Sequence, residues 1–270
     1  MPKIQINGID LFYDIKGTGE PLLLIAGFLC DHAYWSLIMP SLISQYQVIR
    51  LDNRGMGRSS APKNPYSLKQ MASDVAALLD HIAIDKVHLV GHSMGGQIAQ
   101  ELVLAHPEKV QSLILLSSLA KGDGLFNSII EAWGELCANV DFKLYEKVVL
   151  PWIFTDMFYS IPGMIESLIE FAIRYPFPPA THSLHHHSRA MLDFDTTDRL
   201  QKILCPTLVL VAKQDILTPL KFSQELVQGI PNSELVVLDS GGHGFLIESS
   251  DAVVSAMLNF LGKLKPAYTM

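Results

Sequence analysis

The chain is poor in charged residues and has no long apolar run, and each shortage argues against a class of protein. Only 17% of its 270 residues are charged and 49% are hydrophobic, so it can bury enough apolar surface to fold, unlike a disordered chain. Acidic residues outnumber basic ones, which gives a formal net charge of -7 and argues against nucleic acid as a partner. No apolar run approaches the ~20 residues that cross a bilayer, so no membrane partner is expected.

Cysteine is also scarce. The three cysteines, Cys30, Cys137 and Cys205, are odd in number and widely spaced, so a disulfide framework is not expected and a reducing compartment is the natural one. The first ten residues alternate polar and apolar side chains and lack the basic head and apolar stretch of a secretory signal. We therefore expect a cytoplasmic protein.

The apolar segments alternate between strand and helix patterns. Asn7-Gly8 separates two short strand patterns and predicts a hairpin. Further strands are predicted at residues 22–26, 48–51, 87–90, 113–116, 207–212 and 235–238. Helical spacing predicts helices at residues 67–82, 94–105, 219–228 and 251–264. Strands that alternate with helices indicate an α/β fold with a mostly parallel sheet.

One segment, from about residue 120 to 195, interrupts this alternation. It has no clear strand, is rich in aromatic residues, methionine and proline, and shows helical runs at residues 128–138, 165–175 and 184–192. About 75 residues is long for one crossover, since most connections are short. We predict a helical cap at 120–195 inserted into a core formed by 1–119 and 196–270; a set of ordinary crossover helices is the alternative.

A Gly-x-Ser-x-Gly motif, from Gly91 to Gly95, follows a predicted strand and precedes a predicted helix. This arrangement is the nucleophile elbow, whose sharp turn needs glycines where neighbouring Cβ atoms would clash. The serine Oγ then projects above a helix amino terminus, where free N–H groups suit a developing oxyanion. Ser93 is therefore the predicted nucleophile. The alternative is a glycine-rich turn that packs a helix on a strand.

A serine hydroxyl needs a general base, and in elbow hydrolases the chain order is serine, acid, histidine. Of the ten histidines, only His243 follows the last predicted strand, between glycines that let a loop approach Ser93. His243 is the predicted base.

The acid that orients this histidine is predicted to be Asp215, which follows the strand at 207–212 and so lies at the carboxyl end of the sheet. Asp123 is the second candidate. Asp239 is close in sequence to His243, and Asp52 is expected to brace the loop that follows it. The oxyanion hole is predicted to use the backbone amides of Met94 and Phe28.

The sequence resembles the α/β-hydrolase superfamily over nearly its whole length, and within it the branch of 3-oxoadipate enol-lactonases and small carboxylesterases. The landmarks are Gly27-Phe28, the block at 52–59, the elbow at 91–96, the run at 206–211 with Asp215, and Gly242-His243. The resemblance implies an α/β-hydrolase fold, with a mostly parallel eight-stranded sheet flanked by helices and a helical cap after the sixth strand. Relatives with a carboxylate at the elbow are excluded, because the serine indicates acyl chemistry.

Three cap residues are predicted to contact substrate: Trp152, Phe154 and His187. The histidines His182, His185, His186 and His187 have helical spacing, but no acidic or cysteine cluster completes a metal shell, so no metal site is predicted. An inward-facing cap lysine or arginine would favour a carboxylated substrate such as an enol-lactone. The candidates are Lys121, Lys143, Lys147, Arg174 and Arg189.

These observations predict a serine carboxylester hydrolase that cleaves a small, mostly apolar ester or lactone and needs no metal or cofactor. Two alternatives stay open. One is carbon–carbon bond hydrolysis of a diketone-type substrate by the same three residues. The other is a signalling protein that captures a ligand with little turnover. A monomer and a homodimer are equally compatible with the sequence.

Overall fold

The structure is a computed structural model that describes residues 3–264; residues 1–2 and 265–270, the outer ends of the predicted core, lie outside the described residues. The strands in this range are β1 (Lys3–Ile6), β2 (Ile9–Lys16), β3 (Glu20–Ile25), β4 (Tyr46–Leu51), β5 (Val87–His92), β6 (Val110–Leu116), β7 (Thr207–Ala212) and β8 (Ser233–Leu238). They form one sheet in the order β1-β2-β4-β3-β5-β6-β7-β8. The pairs β1–β2 and β2–β4 are antiparallel and the other five pairs are parallel, so the predicted mostly parallel eight-stranded sheet is confirmed.

The helices in the same range are α1 (Met39–Ile43), α2 (Leu68–His81), α3 (Met94–Ala105), α4 (Gly124–Leu136), α5 (Phe142–Ile153), α6 (Asp156–Tyr159), α7 (Met164–Arg174), α8 (Thr181–Leu192), α9 (Leu220–Gly229), α10 (Phe245–Glu248) and α11 (Ser250–Leu264). None of them is long and apolar enough to cross a membrane. The predicted hairpin is present, with Asn7 and Gly8 both at positive φ between β1 and β2, as a tight two-residue turn requires.

The central strands are apolar throughout because helices cover both faces of the sheet. Leu23 and Ile25 of β3 pack on one side, in a core that also holds residues of α2 and α3. Leu22 and Leu24 pack on the other side, with residues of α1 and α11. This two-sided burial accounts for continuous apolar runs in place of alternation.

The segment between β6 and β7 is helical, as expected, and holds α4 to α8. Its two ends meet at an isolated antiparallel bridge between Lys121 and Asp195. Helix α5 has no counterpart among the sequence predictions, because Pro151 interrupts its pattern. That proline lies in the last turn, where a missing N–H removes only one helical hydrogen bond. We propose that residues 120–195 form a cap on the core.

A buried ion pair ties the loop after β4 to helix α2. The Arg54 guanidinium donates from Nε and Nη2 to the two carboxylate oxygens of Asp74, each over 2.6 Å. Asn7 adds a third donor to Asp74 at 3.0 Å. The carbonyl oxygen of Arg54 accepts a hydrogen bond from His187 Nε2 at 2.9 Å, so the same residue also holds α8 against the core.

Replacement of Asp74 is therefore expected to destabilise the protein. Asp74→Ala leaves the Arg54 charge buried without a partner, which costs about 3–5 kcal/mol of unfolding free energy. Asp80→Ala, on the same helix, is the matched control: its side chain is 66% exposed and pairs with Lys109 at the surface, where a pair contributes about 1 kcal/mol or less. Urea denaturation of the two variants measures the difference, and equal losses would contradict the assigned role of the buried pair.

Candidate active site

Ser93 lies alone between β5 and α3 and makes the whole turn between them. Its backbone has φ 53° and ψ −120°, a conformation that a non-glycine residue adopts only under strain. A Cβ atom on Gly91 would lie 2.3 Å from the carbonyl oxygen of Gly95, and one on Gly95 would lie 2.1 Å from that of Ile25. Both glycines of the motif are thus required for strand and helix to approach this closely.

His243 and Asp215, predicted from separate loops, lie together. Nδ1 of His243 is 3.0 Å from Oδ2 of Asp215, and both side chains are buried. The second carboxylate oxygen of Asp215 accepts hydrogen bonds from the backbone amides of Leu217 at 3.1 Å and Thr218 at 2.8 Å. Burial acts to raise the pKa of Asp215, but the imidazole of His243 and the hydrogen bond from the Thr218 amide hold that pKa below its usual value.

The other candidate acids are occupied elsewhere. Asp123 caps helix α4 and pairs with Lys221. Asp239 pairs with Lys213 at 2.6 Å, at the surface. Asp52 receives hydrogen bonds from the ring and the backbone amide of His32 and from the backbone amide of Arg58. Of the four aspartates that the sequence put forward, only Asp215 contacts His243.

A further histidine supports this arrangement. Nε2 of His92, the residue before Ser93, lies 3.0 Å from the carbonyl oxygen of His243. A carbonyl can only accept, so this nitrogen carries the proton. Burial lowers the pKa of His92 to about 3, so its ring is uncharged at neutral pH. Sequence reasoning did not assign His92 this contact; the available signal was a polar residue at the end of an apolar strand.

Ser93 and His243 open onto one cavity of about 430 Å³. The loop after β3 forms part of its wall through Gly27 and Phe28, and a Cβ atom on Gly27 would lie 3.1 Å from Cβ of Ser93. Met94 is the first residue of α3, so its amide has no carbonyl within the helix to pair with. The assignment of the Phe28 and Met94 amides to an oxyanion hole remains a prediction.

The structure brings one of the three predicted cap residues to the cavity. Phe154 lines it, whereas Trp152 and His187 do not. Trp152 is half-buried and packs against the main apolar core. The His187 ring is fully buried, where its hydrogen bond to the Arg54 carbonyl uses Nε2 and burial lowers its pKa to about 4. Both expectations are corrected: His187 holds α8 against the loop after β4, and Trp152 packs against apolar residues away from the cavity lining.

The cap histidines also bond to backbone carbonyls, with His182 on Ala61 and His185 on Gly134. Within residues 3–264, the group whose side chains lie close enough to share a metal ion is a different one, made of Asp31, His32 and Asp52. Its members already bond to one another, with His32 Nδ1 2.6 Å from Asp52 Oδ1. A hydrogen bond of this length accounts for the close approach of His32 and Asp52 without an ion.

The cavity carries two acidic side chains, Asp31 and Glu146, and no lysine or arginine of the described chain lines it. Burial raises the pKa of Glu146 to about 7. Cys30 also lines the cavity, but burial, reinforced by the charges of Asp31 and Glu146, raises the pKa of its thiol to about 12. The thiol therefore stays protonated and is a poor nucleophile. Sequence reasoning missed all three residues.

Comparison with known proteins agrees with this fold. The family model described as alpha/beta hydrolase fold matches residues 20–250. The protein named "Putative carbamate hydrolase RutD" from Azorhizobium caulinodans is 31% identical over 266 residues, which cover 98% of this chain and 99% of that protein.

Two solved structures are similar along almost their whole length. The enol-lactonase from Burkholderia xenovorans LB400 has a TM-score of 0.88 at 25% identity and covers 97% of this chain and 100% of its own. A thermophilic esterase from Thermogutta terrifontis has a TM-score of 0.87 at 27% identity, with coverage of 98% and 99%.

The depressed pKa of Asp215 predicts a pH-dependent contribution to stability. Because the folded-state pKa of Asp215 lies below the usual 3.8, the unfolded chain binds more protons than the folded one at pH values between these two pKa values. The stabilisation is therefore complete above the usual pKa and is lost as pH falls through the folded-state value. Asp215→Asn is expected to lower the unfolding free energy at pH of about 6 and to approach wild type at lower pH. Urea unfolding across this range measures it; a pH-independent difference would contradict the expectation.

Proposed function

The chain belongs to the α/β-hydrolase family, and we propose that it is a serine carboxylester hydrolase that cleaves small, mostly apolar esters or lactones. The observation that carries the proposal is the pairing of His243 with Asp215 at the cavity onto which the strained Ser93 also opens. A nucleophile, a base and an acid that orients the base are the elements of acyl transfer. A cytoplasmic location is proposed with it, since Cys30, Cys137 and Cys205 are all unpaired.

In the proposed reaction, Oγ of Ser93 attacks the ester carbonyl while Nε2 of His243 takes its proton. Negative charge develops on the carbonyl oxygen, and the amides of Phe28 and Met94 stabilise it. The intermediate expels the alcohol, which takes the proton from His243 and leaves an acyl group on Ser93. Water then attacks the acyl group, again with His243 as base, and the acid product leaves.

Asp215 acts through His243. Its carboxylate holds Nδ1 in the protonated form, so Nε2 is free to accept the proton of Ser93. The same carboxylate stabilises the positive imidazolium that forms during attack. The hydrogen bonds that it accepts from the backbone amides of Leu217 and Thr218 favour its ionised form and fix its position.

The lining of the cavity favours a small substrate that carries no carboxylate group. Most of its wall is apolar, and none of the five basic cap residues that would favour a carboxylated lactone lines it. A carboxylated enol-lactone would thus meet the acidic side chains of Asp31 and Glu146. Neutral esters and lactones fit this wall better.

A carbamate is the second candidate substrate. The relative from Azorhizobium caulinodans carries that activity in its name and is similar to this chain over nearly its full length. A carbamate carbonyl can follow the same steps, with a carbamoyl group in place of the acyl group on Ser93. A panel that holds the leaving group constant and varies ester against carbamate separates the two.

Ser93→Ala is expected to abolish hydrolysis of p-nitrophenyl acetate. Loss of the nucleophile of such a unit lowers kcat by roughly 10⁴-fold or more. Release of p-nitrophenol measures the rate, and mass spectrometry after reaction with a fluorophosphonate measures covalent labelling at Ser93 independently of turnover.

Cys30→Ala is the matched control, since it removes the other nucleophilic atom of the same cavity. We expect this variant to keep wild-type activity and labelling. Full activity in Ser93→Ala, or loss of activity in Cys30→Ala alone, would overturn the assignment. Labelling of Ser93 without turnover on any ester would favour the ligand-capturing alternative.

A further inference from the structure

Glu146 stands out among the residues around the cavity. It belongs to a stripe of α5 that faces the cavity, with Phe142, Val149 and Ile153 at helical spacing on either side of it. The other members of this stripe are apolar. An acidic residue within an apolar stripe is the signal by which the sequence could have identified it.

The Glu146 carboxyl has no partner within residues 3–264. It is 8% exposed, yet no side chain or backbone group of the described chain forms a hydrogen bond or an ion pair with it. Buried carboxyl groups are normally paired, since burying an unpaired one is costly. An apolar side chain at this position would fill the same space without that cost. The carboxyl oxygens are not enclosed by the protein, because Glu146 lines the cavity, so a molecule bound there can supply the hydrogen-bond donors that the protein does not.

Asp31, the other acidic residue of the cavity, provides the contrast. It lines the same cavity, but its two carboxylate oxygens accept hydrogen bonds from the Tyr175 hydroxyl at 2.5 Å and from the Ala33 amide at 2.8 Å. Asp31 is thus already satisfied by the protein. Glu146 is the acid in this cavity whose acceptors are free for a bound molecule.

The charge around the cavity limits what this molecule can be. The lining has acidic side chains and no lysine or arginine of the described chain. Lys143 and Lys147, which flank Glu146 on α5, are exposed. A carboxylate group on the substrate would be repelled, whereas an ammonium or amide group would supply the missing N–H donors.

We propose that Glu146 is a specificity-determining residue that binds an N–H group, an amine or an amide, of the substrate whose carbonyl Ser93 attacks. This inference rests on the proposed serine hydrolase function. A site built to bond a polar substrate group rejects analogues that lack the group, because its own polar atoms are then left unpaired. Glu146 thereby adds polar selectivity to a cavity that is otherwise apolar.

The test compares esters that differ only in the group at the far end. On the acyl side, p-nitrophenyl β-alanyl ester is matched with the butanoyl ester, and the ε-aminocaproyl ester with the heptanoyl ester. On the alcohol side, δ-carbamoylbutyl butanoate is matched with its methyl-branched apolar isostere. The variants are Glu146→Gln, Glu146→Leu and, as a matched control on an exposed part of the cap, Glu166→Gln. The readout is the ratio of kcat/KM within each pair.

Wild type and Glu166→Gln are expected to prefer the N–H-bearing member of at least one pair by about 10-fold or more, as for a hydrogen bond to a charged group. Glu146→Leu is expected to lose this preference and to keep its activity on the apolar member. Glu146→Gln, which keeps the shape without the charge, is expected to fall between the two.

The inference is overturned if the three ratios are the same in wild type and Glu146→Leu. It is also overturned if Glu146→Leu slows both members of each pair equally, because that result indicates a structural role; circular dichroism and thermal melting of the variant establish that it folds. Failure of the proposed function gives a different result, since wild type and Ser93→Ala would then hydrolyse every ester at the same background rate.

Discussion

The close approach of β5, α3 and β3 around Ser93 is the constraint on which the rest of the site depends. Gly95 lies against the carbonyl oxygen of Ile25 at the end of β3, so a side chain there would push the helix off the sheet. The loop that leaves β3 carries Gly27 and Phe28 to the wall of the cavity. One packing contact thus fixes both the strained turn that presents Ser93 and the loop beside it.

The polar groups of the site meet because four parallel strands end at one edge of the sheet. His92 ends β5, Ser117 follows β6, Asp215 follows β7 and His243 follows β8. Hydrogen bonds connect all four ends: the Thr218 hydroxyl donates to the Ser117 carbonyl at 3.2 Å and lies 2.8 Å from Asp215. His243 is held by its ring on one side and by its carbonyl on the other. Open α/β sheets place their sites at this edge for the same topological reason.

The sequence predicted features that depend on neighbouring residues and missed features that depend on contacts between distant parts of the chain. The elbow around Ser93 consists of consecutive residues, so the sequence alone identifies it. The positions of the acid and the histidine along the chain follow from the order of the strands. Whether Trp152 and His187 line the cavity depends on how their helices pack against the rest of the chain. His187 bonds to the carbonyl of Arg54, 133 positions away in the chain, and no pattern within α8 reveals that contact. Helix α5 was also missed, because Pro151 interrupts its sequence pattern. The helix forms nonetheless, since burial of its apolar side chains outweighs one lost hydrogen bond.

The core and the cap segment therefore contribute different properties to the cavity. The core supplies Ser93 and His243 and a wall acid, Asp31, whose oxygens are occupied by its own loop and by Tyr175 from the segment between β6 and β7. That segment supplies apolar surface and Glu146, whose oxygens are free. The ring of His243 is held by Asp215 within the sheet domain, and the backbone amide of the next residue, Gly244, donates to the carbonyl of Ile153 at the end of α5. The Glu146 side chain takes part in neither bond, so in the proposed hydrolase a change of that side chain alters the wall of the cavity while the pair of His243 and Asp215 keeps its hydrogen bond.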